Sequence, residues 1–253
     1  MFVDTHTHLY SEEFKIDIDE ALQKAIDTGV DKFFLPNIDS SSVAGMYALC
    51  DKYPQHCFPM MGLHPCSVKE NYKEELAIAY NYLQSKKHVA VGEIGIDLYW
   101  DKTFFAQQVE AFETQINWAL EFNLSIVIHC RNSFDEIFAV LTNFKKLPKG
   151  IFHCFSGNAE QAQKIIDATN FKLGIGGVIT FKNSGLDKAI ENIDLKHLVL
   201  ETDSPYLAPV PYRGKRNESS YLPLIAAKVA EIKKCSLLDV ATITSANAKE
   251  IFE

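Results

Sequence analysis

The stretch Asp4-Thr5-His6-Thr7-His8, entered through the apolar pair Phe2-Val3, decides how the rest of the chain reads. Read as a strand over 2–6, it alternates faces, so Asp4, His6 and His8 share one side. Two imidazoles at the carboxyl end of a strand can hold one face of a divalent ion. Alone, His-x-His describes a core or loop histidine equally well. It gains meaning here because metal-binding residue types recur at the ends of later strands.

Apolar strand-like runs alternate with amphipathic patterns along the whole chain. The sequence predicts strands near 2–6, 32–36, 57–63, 88–94, 124–130, 150–155, 171–176 and 196–202. Helices are predicted near 17–28, 41–52, 71–86, 103–121, 132–144, 158–168 and 184–191, with two closing helices at 219–233 and 236–252. In the 103–121 segment Phe105, Val109, Phe112, Ile116 and Leu120 form one apolar stripe. Ser236 followed by Asp239 reads as a capping box. Eight strands each followed by a helix predict an α/β fold, a (β/α)8 TIM-type barrel, as a single domain over 1–253. A doubly wound sheet is the alternative, but no glycine-rich dinucleotide fingerprint follows the first strand. Pro205 to Ser220 is the least regular stretch and is expected to form a loop over one barrel end.

A barrel of this kind places its site at the carboxyl ends of the strands. The predicted strands deliver there His6 and His8, then His64, Glu93, His129, His153, and finally Glu201 and Asp203. Leaving out His64 and Glu201, four imidazoles and two carboxylates remain, the ligand set of a binuclear hydrolytic site for zinc, manganese or magnesium. Glu201 and Asp4 lie one layer deeper on the same faces, suited to orienting a ligand. A structural role is the alternative for Asp4. His56, His88 and His197 precede or begin their strands and read as structural or exposed. Cys130 and Cys154 follow His129 and His153, so alternation should turn both thiols toward the helices.

The formal net charge of −8 over 253 residues argues against a broad basic surface for duplex nucleic acid. A phosphate substrate stays possible, since bound cations supply local positive charge. None of the six cysteines forms C-x-x-C. No signal peptide or membrane-length apolar run is visible, so a reduced cytoplasmic protein is expected, with a monomer compatible with all of this.

Read together, Asp4-Thr5-His6-Thr7-His8, Gly62-Leu63-His64-Pro65, Gly92-Glu93-Ile94-Gly95-Ile96-Asp97, Ile128-His129-Cys130-Arg131, Phe152-His153-Cys154-Phe155-Ser156-Gly157 and Glu201-Thr202-Asp203-Ser204-Pro205-Tyr206-Leu207-Ala208-Pro209 resemble the successive motifs of the TatD family. Pro211-Tyr212-Arg213-Gly214-Lys215-Arg216-Asn217 extends the resemblance. That family comprises metal-dependent deoxyribonucleases among the amidohydrolase-like barrels. The resemblance implies two divalent ions, one held by His6, His8, Glu93 and Asp203, the other by Glu93, His129 and His153, with Glu93 bridging. It implies that His64 contacts substrate phosphate or the leaving group, a capping or packing role being the alternative.

On this reading Asp203 takes a proton from the attacking water, and DNA is hydrolysed at strand ends or single-stranded regions. Arg131, Lys182, Arg213, Lys215 and Arg216 are candidate phosphate contacts, with surface ion pairs as the competing role. Tyr99, Trp100, Phe155 and Tyr206 are candidates for base stacking, against core packing. Metal barrels also cleave amides and aminoacyl esters, and a metal-binding protein without catalysis is the reading from another class.

Overall fold

The computed structural model describes residues 1–253. Eight strands alternate with helices: β1 (Phe2–Asp4), α1 (Ile18–Asp27), β2 (Val30–Pro36), α2 (Val43–Lys52), β3 (Cys57–Met60), α3 (Tyr72–Ser85), β4 (Ala90–Asp97), α4 (Phe105–Glu121), β5 (Ser125–Arg131), α5 (Phe134–Thr142), β6 (Gly150–Phe152), α6 (Ala159–Ala168), β7 (Phe171–Ile175), α7 (Leu186–Ile190) and β8 (Leu198–Leu200). Two further helices, α8 (Leu222–Lys233) and α9 (Leu237–Phe252), close the chain. The predicted order is found element for element. Boundaries move: β1 stops at Asp4 and β3 at Met60, short of the expected ends, while β4 runs on to Asp97.

All pairings are parallel, in a three-stranded sheet β1-β2-β3 and a five-stranded sheet β4-β5-β6-β7-β8. The sheets meet at both edges. A parallel bridge joins Met61 to Val91, and Thr5 N donates to Leu200 O at 3.0 Å. The two sheets are thus joined by a few hydrogen bonds at each edge rather than by continuous ladders, an arrangement consistent with a (β/α)8 barrel. Both faces of the strands are covered, which is why they read as near-continuous apolar runs.

The ring is packed shut at its amino end. Phe34, Met60, Ala90, Val127, Ile151 and Val199, one from each of six strands, meet Ala248, Ile251 and Phe252 of α9. The rings of Phe34 and Phe252 stack at 4.0 Å. The expected capping box begins α9: Asp239 N donates to Ser236 Oγ, and Ser236 N to Asp239 Oδ2, each at 3.0 Å. With the base filled by side chains, polar residues one layer up the same strands face the open end. No helix is long and apolar enough to cross a membrane.

One expected pattern is corrected. The buried face of α4 contains Phe112 and Ile116 but turns toward Gln108, Ala111, Gln115 and Ala119, leaving Phe105 exposed at the helix start. Two glutamines were hidden in that face, and both hold the backbone of the site.

Candidate metal centre

The apolar base layer fixes which residues point inward. Val127 and Ile151 lie in that layer, so His129 and His153, two residues on, face the same interior. The same offset from Val199 brings in Glu201 and Asp203. Glu93 breaks the count, lying three residues after Ala90. The β4–β5 register shifts between Val91 and Ile94, and that slip turns Glu93, with Asp97 behind it, inward while Ile94 and Ile96 join the outer core. Gly95 (φ 141°) allows the close approach of β5, since a Cβ there would lie 2.1 Å from His129 O.

All six predicted ligands and His64 meet around the Glu93 carboxylate. Oε2 lies 3.0 Å from His6 Nε2 and 3.8 Å from His8 Nε2. Oε1 lies 2.7 Å from His129 Nδ1, 3.3 Å from His64 Nε2 and 3.7 Å from His153 Nε2. Asp203 Oδ1 is 3.6–3.8 Å from the Nε2 atoms of His6, His8 and His153. Asp203 adopts φ 56°, a left-handed turn just past β8. That turn is held by Asn217, fully buried, whose Nδ2 donates to Thr202 O and Tyr206 O at 2.7 Å each. From below, Asp4 Oδ1 accepts Thr202 N at 2.9 Å, and Oδ2 accepts Thr202 Oγ1 and Ser219 Oγ. Asp4 braces the strand end that carries Asp203 and meets the cluster only through the backbone N–H of His6, at 3.5 Å. Burial pushes its carboxyl up to about 7, against those hydrogen bonds.

Contacts behind the rings orient them. His129 Nε2 is 2.8 Å from Asp97 Oδ2 and Nδ1 is 2.7 Å from Glu93 Oε1, and against burial these two carboxylates raise the ring's pKa, so without a cation it donates to both. His153 Nδ1 is 2.9 Å from Glu201 Oε1, close but not aligned as a hydrogen bond, and against burial the Glu201, Glu93 and Asp203 carboxylates raise the ring's pKa to about 10, with Nε2 turned to the cluster. Tyr10 Oη lies 2.9 Å from His8 Nδ1, freeing its Nε2. His64 is opposite: its Nδ1 accepts Cys66 N at 3.0 Å, so the neutral ring carries its proton on Nε2, facing the cluster. The capping role weighed for His64 is therefore present, and it makes the Nε2 of this ring a donor toward the cluster.

These residues suit divalent cations. Glu93, Asp97, Glu201 and Asp203 are buried carboxylates whose ion-pair partners are all histidines, with no lysine or arginine in pairing distance; Asp97 and Glu201 also accept backbone N–H groups. Burial would raise the Glu93 carboxyl, but His64, His6 and His153 outweigh it and hold it well below the usual range. His6 Nε2 and His8 Nε2 stand 3.3 Å apart, and at least one must present a lone pair to the other unless a cation lies between. Buried charge so arranged is what a bound ion compensates.

Several supports went unread in the sequence. Asp97, Tyr10, Gln108, Gln115 and Asn217 carried no assigned role. Gln108 brackets the backbone of Asp97, and Gln115 that of Leu63, each through both ends of its amide. The available signals were the parity of Asp97 with Glu93, that of Tyr10 with His8, and glutamines seven apart inside a helix. Gly174 belongs to the same frame, since a Cβ there would lie 2.3 Å from Glu201 Oε2.

Two expectations fail. Cys154 does not turn toward the helices: Sγ lies within 4.8 Å of a His153 nitrogen and a Glu201 oxygen. β6 ends at Phe152 and Cys154 adopts φ 46°, so strand alternation no longer governs it. Cys130, still within β5, packs beside Ser133 at the head of α5 as expected. Arg216 is not a free phosphate contact. Its guanidinium pairs with Asp17 through two bonds, with Glu218 at 3.2 Å, and covers the Phe14 ring.

The remaining candidates sit around the mouth. Arg131 lies 4.0 Å from the Tyr99 ring centroid and 5.3 Å from that of Trp100, in no ion pair, with both aromatics largely exposed. Arg213 stacks on Phe181 at 3.6 Å, and Lys182 and Lys215 are exposed. Tyr206 is half exposed, its ring 6.0 Å from that of His8. Phe155 is buried in the core. His56, His88 and His197 lie at the amino ends of their strands, away from the cluster.

A family model described as TatD related DNase matches residues 3–253. Among curated proteins, the chain is 35% identical to an uncharacterized metal-dependent hydrolase, YabD of Bacillus subtilis, over 100% of this chain and 99% of that one. It is 30% identical to the 3'-5' ssDNA/RNA exonuclease TatD of Erwinia billingiae, over 98% of each. Among solved structures it resembles YjjV, a TatD homolog from Escherichia coli, with a TM-score of 0.93 at 29% identity over 99% and 97% of the two chains. The full-length match, the barrel and the convergent ligand types agree: this chain belongs to the TatD family and is a metal-dependent hydrolase.

Proposed function

We propose that this protein is a phosphodiesterase that hydrolyses DNA from strand ends or single-stranded regions, using two divalent ions. The observation that carries the reading is the convergence of His6, His8, His129 and His153 ring nitrogens on the Glu93 and Asp203 carboxylates, with one N–H from His64 turned to the same point. His6, His8, Glu93 and Asp203 would hold one ion, and Glu93, His129 and His153 the other. Such ions lower the pKa of a shared water and neutralise phosphoryl oxygens. Asp203 accepts the proton as the water oxygen attacks phosphorus. His64 Nε2–H donates to the departing sugar oxygen, and Glu201 and Asp97 keep His153 and His129 in register. Arg131, Arg213 and Lys182 contact flanking phosphates, and Tyr99, Trp100 and Tyr206 offer faces to bases.

Support for a nucleic-acid substrate comes from the name of the Erwinia relative. Support for a short grip comes from the net charge of −8, which suits a strand end better than a long duplex footprint. The test compares single-stranded DNA, duplex DNA, RNA and small amides, after chelation and with Mg²⁺, Mn²⁺ or Zn²⁺ restored. The expected result is metal-dependent cleavage with single-stranded DNA ahead of duplex. Cleavage of amides alone, or full turnover in verified metal-free buffer, would overturn the proposal.

A further inference from the structure

We infer that a cavity beside the metal centre is a nucleobase subsite that favours guanine, an inference that rests on the nucleic-acid reading above. The cavity measures about 400 Å³ and opens between the loops that follow β5 and β6. His153 forms part of its wall, so it adjoins the cluster. Its volume lies at the small end of ligand pockets. The partly buried Phe134 contributes aromatic surface, the largely buried Phe155 also lines the wall, and Asn132, Asp135 and Glu136 contribute polar atoms.

The chemistry of that lining selects an occupant. No lysine or arginine lines the cavity, so it does not suit a phosphate. Asp135 and Glu136 take part in no ion pair, and neither carboxylate is hydrogen-bonded within the protein, so both are free acceptors. Acceptors beside aromatic rings fit a flat, uncharged ring that carries N–H donors. Guanine alone among the DNA bases presents two adjacent donors, N1–H and the N2 amino group, to the two oxygens of one carboxylate. Cytosine and adenine offer an amino group next to a ring acceptor. Thymine offers one N–H flanked by two carbonyls, which a carboxylate repels. The expected order is therefore guanine first and thymine last. Phosphate would stay with the metal cluster and the basic rim while the base turns into the cavity.

The experiment measures binding of 2'-deoxyguanosine 5'-monophosphate and thymidine 5'-monophosphate to the metal-loaded protein by titration calorimetry. It is repeated on the double variant Asp135→Asn, Glu136→Gln, with circular dichroism to check folding. A bidentate pair predicts a preference for the guanine nucleotide of about tenfold or more in the wild type, falling to near one in the variant. Equal affinities in the wild type overturn the inference without any variant, and so does a preference that survives both substitutions. Hydrolysis of bis(p-nitrophenyl) phosphate, a phosphodiester without a base, is followed on the same wild-type preparation. Turnover of that ester with no base preference removes the subsite alone. Loss of metal-dependent ester hydrolysis removes the broader reading, whatever the nucleotides do.

Discussion

Tyr10 and His8 form a pair in which the phenol sets the imidazole's tautomer. Burial pushes the Tyr10 hydroxyl well above its ordinary pKa, so it keeps its proton and gives it to Pro36 O at 2.5 Å. It must then accept from His8 Nδ1–H, at 2.9 Å. The Nε2 lone pair of His8 is left facing Asp203 and Glu93. Tyr10→Phe keeps the ring packing and removes the acceptor. Divalent-metal affinity, measured by competition with a fluorescent chelator, is expected to fall about 10–100-fold, in line with other partners behind metal-bound histidines. An unchanged affinity would mean that packing alone orients His8.

Asp203→Asn separates proton acceptance from ligation. Asparagine retains one oxygen but loses the charge and the ability to take the proton from water. His6, His8, Glu93, His129 and His153 remain. Single-turnover cleavage is expected to fall on the order of 10²–10⁴-fold, with metal content and melting temperature changed much less. Wild-type turnover would remove Asp203 as the base, and loss of both ions would make it a ligand first.

Arg131 and Arg216 are expected to behave oppositely. Arg131→Ala removes a cation held only by aromatic faces, so single-strand affinity should drop and its logarithmic salt dependence should shallow by about 0.7. Arg216→Ala breaks the pair to Asp17 that ties the loop after β8 to the region before α1, together with the local pair to Glu218. It should lower thermal stability while leaving the salt slope alone. Filter-binding titrations across salt, paired with melting curves, check both.

His88 supplies an acid-sensitive point remote from the metal centre. Burial lowers its pKa to about 4, and its Nε2 lies 2.5 Å from Tyr47 Oη. Between roughly 6.5 and 4 the unfolded chain binds a proton at this residue and the folded chain does not. Stability therefore falls as pH drops through that window, by roughly 1–3 kcal/mol from this group. Urea unfolding at pH 7 and pH 4.5 should show a smaller loss in His88→Phe than in the wild type. An identical loss would assign the acid sensitivity elsewhere.

The alternation of elements, the barrel and the identity of the residues gathered at its mouth were legible before any coordinates. Strand pattern is a local property: Val127 and His129, or Ile151 and His153, share a face whatever surrounds them. The capping box at Ser236 and Asp239 was legible for the same reason, since both partners lie within one helical turn.

What the sequence by itself determined is thus the fold and the set His6, His8, His64, Glu93, His129, His153 and Asp203. Only the tertiary structure decided which ring nitrogen each histidine of that set turns to the centre. The deciding partners are Asp97, Glu201 and Tyr10 on one side and the Cys66 backbone on the other, and which ring atom each meets depends on how the strands and loops pack. The slip in β4 that turns Glu93 inward, the turn that brings Cys154 to Glu201, and the capture of Arg216 by Asp17 are likewise invisible locally. A hydrogen bond or ion pair across about 200 positions leaves no periodic trace in a chain, because its geometry exists only once the ring has closed.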